Sequence, residues 1–219
     1  MKIVVFSLFP NLILPYFEDS ILKRARDKNL FSIEVVNFRD FSKNKYKKVD
    51  TEIVGGGAGM IIDNLALREA LLFYKGKYPN SKTIFLTPVG KRYNQKDAVR
   101  FSKEEVLFLV CGRYEGFDER LIEDFADEVI SIGDFILTGG ELAALVVIDS
   151  VLRNIEGVLG NSESLKDESF NENFLEAPSF SKVGEVPNIL KSGNHKKIAF
   201  WREKASFFKT KFHRPDLIN

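Results

Sequence analysis

The sequence predicts an α/β fold: a doubly wound parallel sheet followed by a small helical C-terminal domain. Three observations predict it: five short apolar runs, helical patterns between them, and a shift in composition near residue 160. Runs that are apolar throughout, rather than alternating, suit strands covered on both faces. Strand and helix in alternation lead to a parallel sheet.

The first strand is predicted over residues 2–9, broken by Ser7 and stopped by Pro10. A helix over 16–28 and a strand over 32–38 follow. The next helix spans 65–74, with Leu65, Leu67, Leu71 and Leu72 near helical spacing. Residues 83–86 form a strand that ends at Thr87-Pro88-Val89-Gly90, read as a tight turn because Pro and Gly punctuate it. A helix over 95–101, a strand over 106–111, a helix over 117–125 and a strand over 128–132 come next. The last helix of this part, 141–153, is apolar nearly all round, so it is buried or forms an interface.

With 219 residues the chain can hold one sizeable core and a small appendage. We divide it at 1–160, an α/β domain; 161–176, an acidic linker; and 177–219, a small basic helical domain. The single cysteine, Cys111, excludes an internal disulfide framework and points to a reducing, cytoplasmic setting. It reads as a buried small side chain rather than a reactive one. One Cys and two distant His residues, His195 and His213, offer no zinc-ligand spacing. No run is long enough to span a membrane, and the N-terminus reads as a strand rather than a signal peptide.

Net charge is +1, but it is unevenly spread. Residues 182–214 carry a local balance of +7, leaving −6 on the rest. A basic tail on an acidic body suggests a polyanionic partner, although a solvated helix face gives the same pattern. Along this tail Ile198, Trp201, Ala205 and Phe208 fall at helical spacing, and Trp201 is read as core rather than as a stacking platform.

Three loops mix glycine with other signals. Gly55, Gly56, Gly57 and Gly59 form the densest cluster, more than a turn needs, which suggests a ligand or RNA backbone approaching closely. The cluster lacks the dinucleotide fingerprint, because Ile62 stands where its last glycine belongs; this argues against a nicotinamide dehydrogenase. Cys111-Gly112-Arg113-Tyr114-Glu115-Gly116 follows one apolar strand, and Ile132-Gly133-Asp134-Phe135-Ile136-Leu137-Thr138-Gly139-Gly140-Glu141 follows another. A turn and a helix start account for Asp118 and Glu119, but not for Arg-Tyr-Glu between two glycines. Open α/β sheets bind ligands at such strand ends.

Taken together these motifs resemble the TrmD family, the bacterial tRNA (guanine-N1)-methyltransferases. The likeness runs through almost the whole chain. It includes Ser7-Leu8-Phe9-Pro10, the glycine cluster, Leu86-Thr87-Pro88, both long loops, Ile148-Asp149-Ser150-Val151, Gly157-Val158-Leu159-Gly160, Ser169-Phe170 and Trp201-Arg202. The resemblance implies a SPOUT methyltransferase fold with a deep trefoil knot. It implies a homodimer with the active site at the subunit interface, S-adenosylmethionine as methyl donor, and the guanine at position 37 of tRNA as substrate. It also implies a dependence on magnesium, for which no metal site is identifiable.

By resemblance, the cofactor pocket comprises Leu86, Thr87 and Pro88; Gly112, Tyr114 and Glu115; and Ile132, Gly133, Asp134, Phe135, Ile136, Leu137, Gly139 and Gly140. Phe135 stands where many members have Tyr, and Ala143 where many have Pro. Arg153 matches the family's catalytic arginine, and Glu168 the position of its catalytic aspartate, with Asp167 as the rival base. The chemistry needs both groups. N1 of neutral guanine carries a proton that a carboxylate must take, and the charge that then grows on O6 is stabilised by a positioned Arg. Two alternatives remain at this point: a SPOUT-type RNA methyltransferase acting at another nucleotide, and a non-catalytic RNA-binding relative.

Overall fold

The computed structural model describes residues 1–161, 168–170 and 173–218. They fall into two compact units, Met1–Gly160 and Asn161–Asn219. In the first unit, five strands form one sheet: β1 (Lys2–Phe6), β2 (Ser32–Val36), β5 (Lys82–Arg92), β6 (Val106–Cys111) and β7 (Glu128–Ser131). Their order is β2-β1-β6-β5-β7, and every pairing is parallel. Two further strands, β3 (Asp50–Glu52) and β4 (Met60–Ile62), pair antiparallel apart from this sheet.

Side chains that alternate along each strand fill two cores. Ile3, Val5, Leu107 and Leu109 face one side with α1 (Ser20–Asp27), α3 (Gln95–Phe101) and α5 (Glu141–Leu152). Val4, Phe6, Phe108 and Val110 face the other with α2 (Asn64–Lys77) and α4 (Glu119–Phe125). Successive side chains of a strand point to opposite faces, so a sheet covered twice needs strands that are apolar throughout. Fully burying one such Leu, Ile or Phe contributes about 1.5–3 kcal/mol. The parallel α/β sheet expected from the apolar runs is what the chain forms.

Several boundaries differ from expectation for local reasons. The helix expected over 16–28 starts only at Ser20, because Pro10–Leu12 and Leu14–Phe17 are 3-10 turns and Asp19 is the N-cap. The helix expected from 117 starts at Glu119: Asp118 is its N-cap, and Phe117 is buried and bridges to Ile62. β1 stops at Phe6: the Ser7 N–H still donates to Val36 O, and the chain then turns where the Phe9 N–H donates to the Ser7 hydroxyl. The short pair β3 and β4 escaped the apolar pattern altogether.

The largest correction concerns Thr87-Pro88-Val89-Gly90, which is no tight turn. β5 runs on to Arg92, and its register with β7 shifts so that Leu86 and Lys91 both stand opposite Ile130. Residues 87–90 form an excursion between two stretches of the same parallel pairing. Gly90 marks the return: a Cβ there would lie 2.5–2.6 Å from backbone atoms of Val129 and Ile130.

In the second unit, α6 (His195–His213) starts at Asn194, whose side chain accepts from the Lys197 N–H. Leu175 is tied to this helix twice. Its N–H donates to Thr210 Oγ1 at 2.9 Å, and its carbonyl accepts from Ser206 Oγ at 2.5 Å. Trp201 is half-buried with its ring 6.2 Å from that of Phe180, whereas Phe208 is exposed. Among the described residues, no helix is long and apolar enough to cross a membrane.

Replacing Gly90 by Ala should destabilise the first unit by about 1–3 kcal/mol, because backbone atoms cannot yield to the added methyl as a side chain can. Urea unfolding followed by circular dichroism measures this, and an unchanged midpoint would show that the β5 return has room.

Candidate functional site

The ends of β6 and β7 and the excursion of β5 after Leu86 open onto a single cavity of ≈ 220 Å³. Leu86, Thr87 and Pro88 line it from β5; Gly112 to Phe117 from the loop after β6; Ile130 to Gly133, Phe135 to Gly140 and Ala143 from β7, its loop and the start of α5. Ligand sites of open parallel sheets lie at this end of the strands.

The loop after β6 is shaped by a turn in which the Gly116 N–H donates to the Arg113 carbonyl at 3.1 Å. Tyr114 inside it has φ 59° and Gly116 has φ 120°. The left-handed conformation at a tyrosine costs about 1–3 kcal/mol, so the surrounding contacts must impose it. They do so through β4: the Glu115 N–H donates to Met60 O at 2.9 Å, and the Ile62 N–H donates to Gly116 O at 3.0 Å. The glycine cluster before β4 therefore belongs to the same assembly. Gly55, Gly56, Gly57 and Gly59 all have positive φ, and a Cβ at Gly59 would lie 2.7 Å from the Glu115 side chain. The positive φ at all four, and the Glu115 side chain at Gly59, favour glycine at these positions.

The loop after β7 closes over the same space. Ser131 Oγ bonds both the carbonyl and the N–H of Gly133, at 2.9 and 3.2 Å. The Gly140 N–H donates to Gly112 O at 2.8 Å, and a Cβ on Gly140 would stand 2.7 Å from the Cys111 Cα. Beneath this contact lies a buried polar network. Ser7 Oγ donates to Glu141 Oε1 at 2.6 Å, and Arg113 Nη2 lies 2.9 Å from Glu141 Oε2. That last approach is an ion pair without hydrogen-bond alignment, since Glu141 Oε2 and Arg113 Nε have no hydrogen-bond partner. Arg113 Nη1 donates to Thr138 O at 3.0 Å, and the guanidinium sits 4.4 Å from the Phe9 ring centroid. Burial, reinforced by the Glu141 carboxylate and opposed by Arg113, pushes the Cys111 thiol well up, which leaves it unreactive.

Thirteen of the fourteen residues expected in the cofactor pocket line this cavity; Asp134 does not. The tight Phe135 N–H to Gly133 O turn carries Asp134 outward, where its carboxylate pairs with Arg92. The sequence reading missed the polar network. Its signals were a serine interrupting an apolar strand and an acid opening an otherwise apolar helix. Arg153 is the C-cap of α5, with its N–H on Asp149 O. It follows Leu142 and Val146 along one stripe of that helix, and both are exposed, at 56% and 42%. Glu168 belongs to the second unit, next to Ser169, whose Oγ accepts from the Glu176 N–H at 3.2 Å. Asp167 lies outside the described residues. Among the described residues, no three or more His, Cys, Asp or Glu side chains cluster as metal ligands.

These features define an α/β protein with a glycine-lined cavity on one edge of its parallel sheet. Comparison with known proteins specifies it further. The family model of tRNA (guanine-1)-methyltransferase TrmD matches residues 1–219. The chain is 54% identical over 227 aligned positions to a tRNA (guanine-N(1)-)-methyltransferase of Campylobacter jejuni, covering 100% of this chain and 97% of that one. A protein of the same name from Helicobacter pylori is likewise 54% identical over 227 positions, with 100% and 98% covered. Another, from a Nitratiruptor species, is 55% identical over 221, with 99% and 97% covered. The chain belongs to the TrmD family.

Proposed function

We infer that this protein transfers a methyl group from S-adenosylmethionine to N1 of a guanine in tRNA, and that the guanine is the one at position 37. The observation that carries the reading is the strand-end cradle in a chain that belongs to the TrmD family over its whole length. Bound there, S-adenosylmethionine supplies an electrophilic methyl group on sulfur. The residues present suit it. Leu86, Ile130, Ile132, Leu137 and Ala143 offer apolar contact, while the backbone of the glycine-rich loops offers N–H and C=O groups to an adenine edge and a ribose. Phe135 provides ring contact but no hydroxyl.

In this reading Glu168 takes the N1 proton as the nitrogen attacks, and Arg153 stabilises the charge that grows on O6. The basic second unit holds tRNA phosphates. The site works in a homodimer, and what supports this is the exposed Leu142 and Val146 on the stripe of α5 that leads to Arg153. Tyr16 fastens a neighbouring 3-10 turn to that helix through a 2.8 Å bond to Asp149. The trefoil knot of the SPOUT fold completes the proposal. It is supported by the close backbone seating of Gly140 on Cys111, which brings the loop after β7 against the end of β6. No residue is assigned to magnesium.

The direct test incubates the pure protein with S-adenosylmethionine and unmodified tRNA and maps the methylated base. Methyl at another nucleotide would favour a different RNA methyltransferase of the same fold, and no transfer would favour a binding relative. Arg153→Ala should lower single-turnover transfer strongly while calorimetric cofactor affinity stays nearly unchanged; near-normal turnover would exclude the role given to Arg153. Glu168→Gln keeps size but cannot accept a proton, so transfer should fall by roughly 10²–10⁴-fold. Glu168→Asp should retain substantial activity and Asp167→Asn should have a small effect. The reverse pattern would assign the base to Asp167. Finally, Leu142→Glu with Val146→Glu should leave the fold intact and yield a monomer by light scattering, with transfer lost. A dimer that survives both charges would place the interface elsewhere.

A further inference from the structure

The Ser7–Glu141–Arg113 network reaches the cavity through Arg113 and does none of the chemistry assigned above. Glu141 is 3% exposed, and its side chain meets the Ser7 hydroxyl on one oxygen and the Arg113 guanidinium on the other. Stability does not explain such a group. A buried ion pair loses hydration on both partners and is often no more stabilising than apolar residues of the same volume. Its surroundings suggest another reason.

Two sources of positive potential converge on this cavity. One is Arg113, which lines it directly. The other is the N-terminus of the twelve-residue α5, which begins at Glu141 just after the lining residue Gly140. A helix N-terminus carries roughly half a positive charge. Unopposed, both would repel a ligand that bears a sulfonium. Glu141 stands in the first turn of that helix and within ion-pair distance of that guanidinium, so one carboxylate offsets most of the two.

We propose that Glu141 is a positioning residue that offsets the positive potential of Arg113 and the α5 N-terminus, and so lowers the cavity's discrimination against a sulfonium cation relative to the neutral thioether left after methyl transfer. The inference rests on the cofactor reading above and deepens it: it assigns the discrimination between S-adenosylmethionine and S-adenosylhomocysteine to a residue that need touch neither. Arg113 has a fixed place in this arrangement. Its guanidinium is held on Thr138 O and over Phe9, and Gly139 makes room for it, since a Cβ there would lie 2.3 Å from its Nε.

The test measures dissociation constants of the full-length protein for both ligands by calorimetry. Glu141→Gln keeps the side chain's size and removes its charge. It should weaken S-adenosylmethionine by on the order of tenfold and S-adenosylhomocysteine by less than about threefold, because the removed charge acts on the sulfonium, which only the first ligand carries. Arg113→Gln leaves the carboxylate in excess and should move the ratio of the two affinities the opposite way. A merely structural role would weaken both ligands by one common factor in each variant, and that result would overturn the proposal. So would a ratio that moves in the same direction in both variants. Should Glu141→Gln fail to fold, the direction of the Arg113→Gln shift decides alone. Binding of neither ligand by the unaltered protein would instead sink the cofactor reading itself.

Discussion

The site depends on how closely two backbones meet at the end of β6. Gly140 sits on Cys111 and Gly112 with no space for a side chain, and its N–H bonds the Gly112 carbonyl. This contact fixes the loop after β7 against the loop after β6, and it sets where α5 begins. From that start follow the burial of Glu141, its reach to Arg113 and Ser7, and the direction in which α5 carries its exposed stripe toward Arg153. A methyl group at residue 140 would push against backbone on the other side, and nothing soft is there to yield.

The β3–β4 pair plays a supporting part through main-chain bonds alone. Its hydrogen bonds to Glu115 and Gly116 hold the loop after β6 from the side opposite Gly140. With both sides held, Tyr114 keeps a backbone conformation that a tyrosine would not choose, and its half-exposed ring stands at the rim of the cavity. The glycines ahead of β4 make this support possible: their positive φ values bring the chain round, and Gly59 leaves space for the Glu115 side chain.

The sheet was legible in the sequence because burial on both faces makes each strand apolar throughout, as in Ile3-Val4-Val5-Phe6 and Leu107-Phe108-Leu109-Val110. Most of the cavity lining was legible from glycine-rich motifs at strand ends. What escaped depends on contacts distant in sequence. Pro88 and Gly90 carry the local chemistry of a turn, yet the pairing of Lys91 with Ile130 draws the chain back into the sheet. β3 and β4 are three residues each, too short for periodicity to register. The side chain of Asp134 follows from a turn and from Arg92, 42 positions away. Glu141 and Ser7, 134 positions apart, each looked like an irregularity until they met.

The path of β5 bears on how a ligand gets in and out. Residues 87–90 leave the sheet at Leu86 and return at Lys91, and both feet stand on the same residue of β7. A segment anchored at both ends behaves as an arch, not as a hinged flap. It can flex at its crown, but it cannot swing clear of the opening. Phe135 and Ile136, exposed at 52% and 81%, line the cavity from the loop after β7, and their side chains are free of the restraint that holds the arch. Rotamer changes in exposed residues take picoseconds to nanoseconds, against microseconds to milliseconds for collective motions.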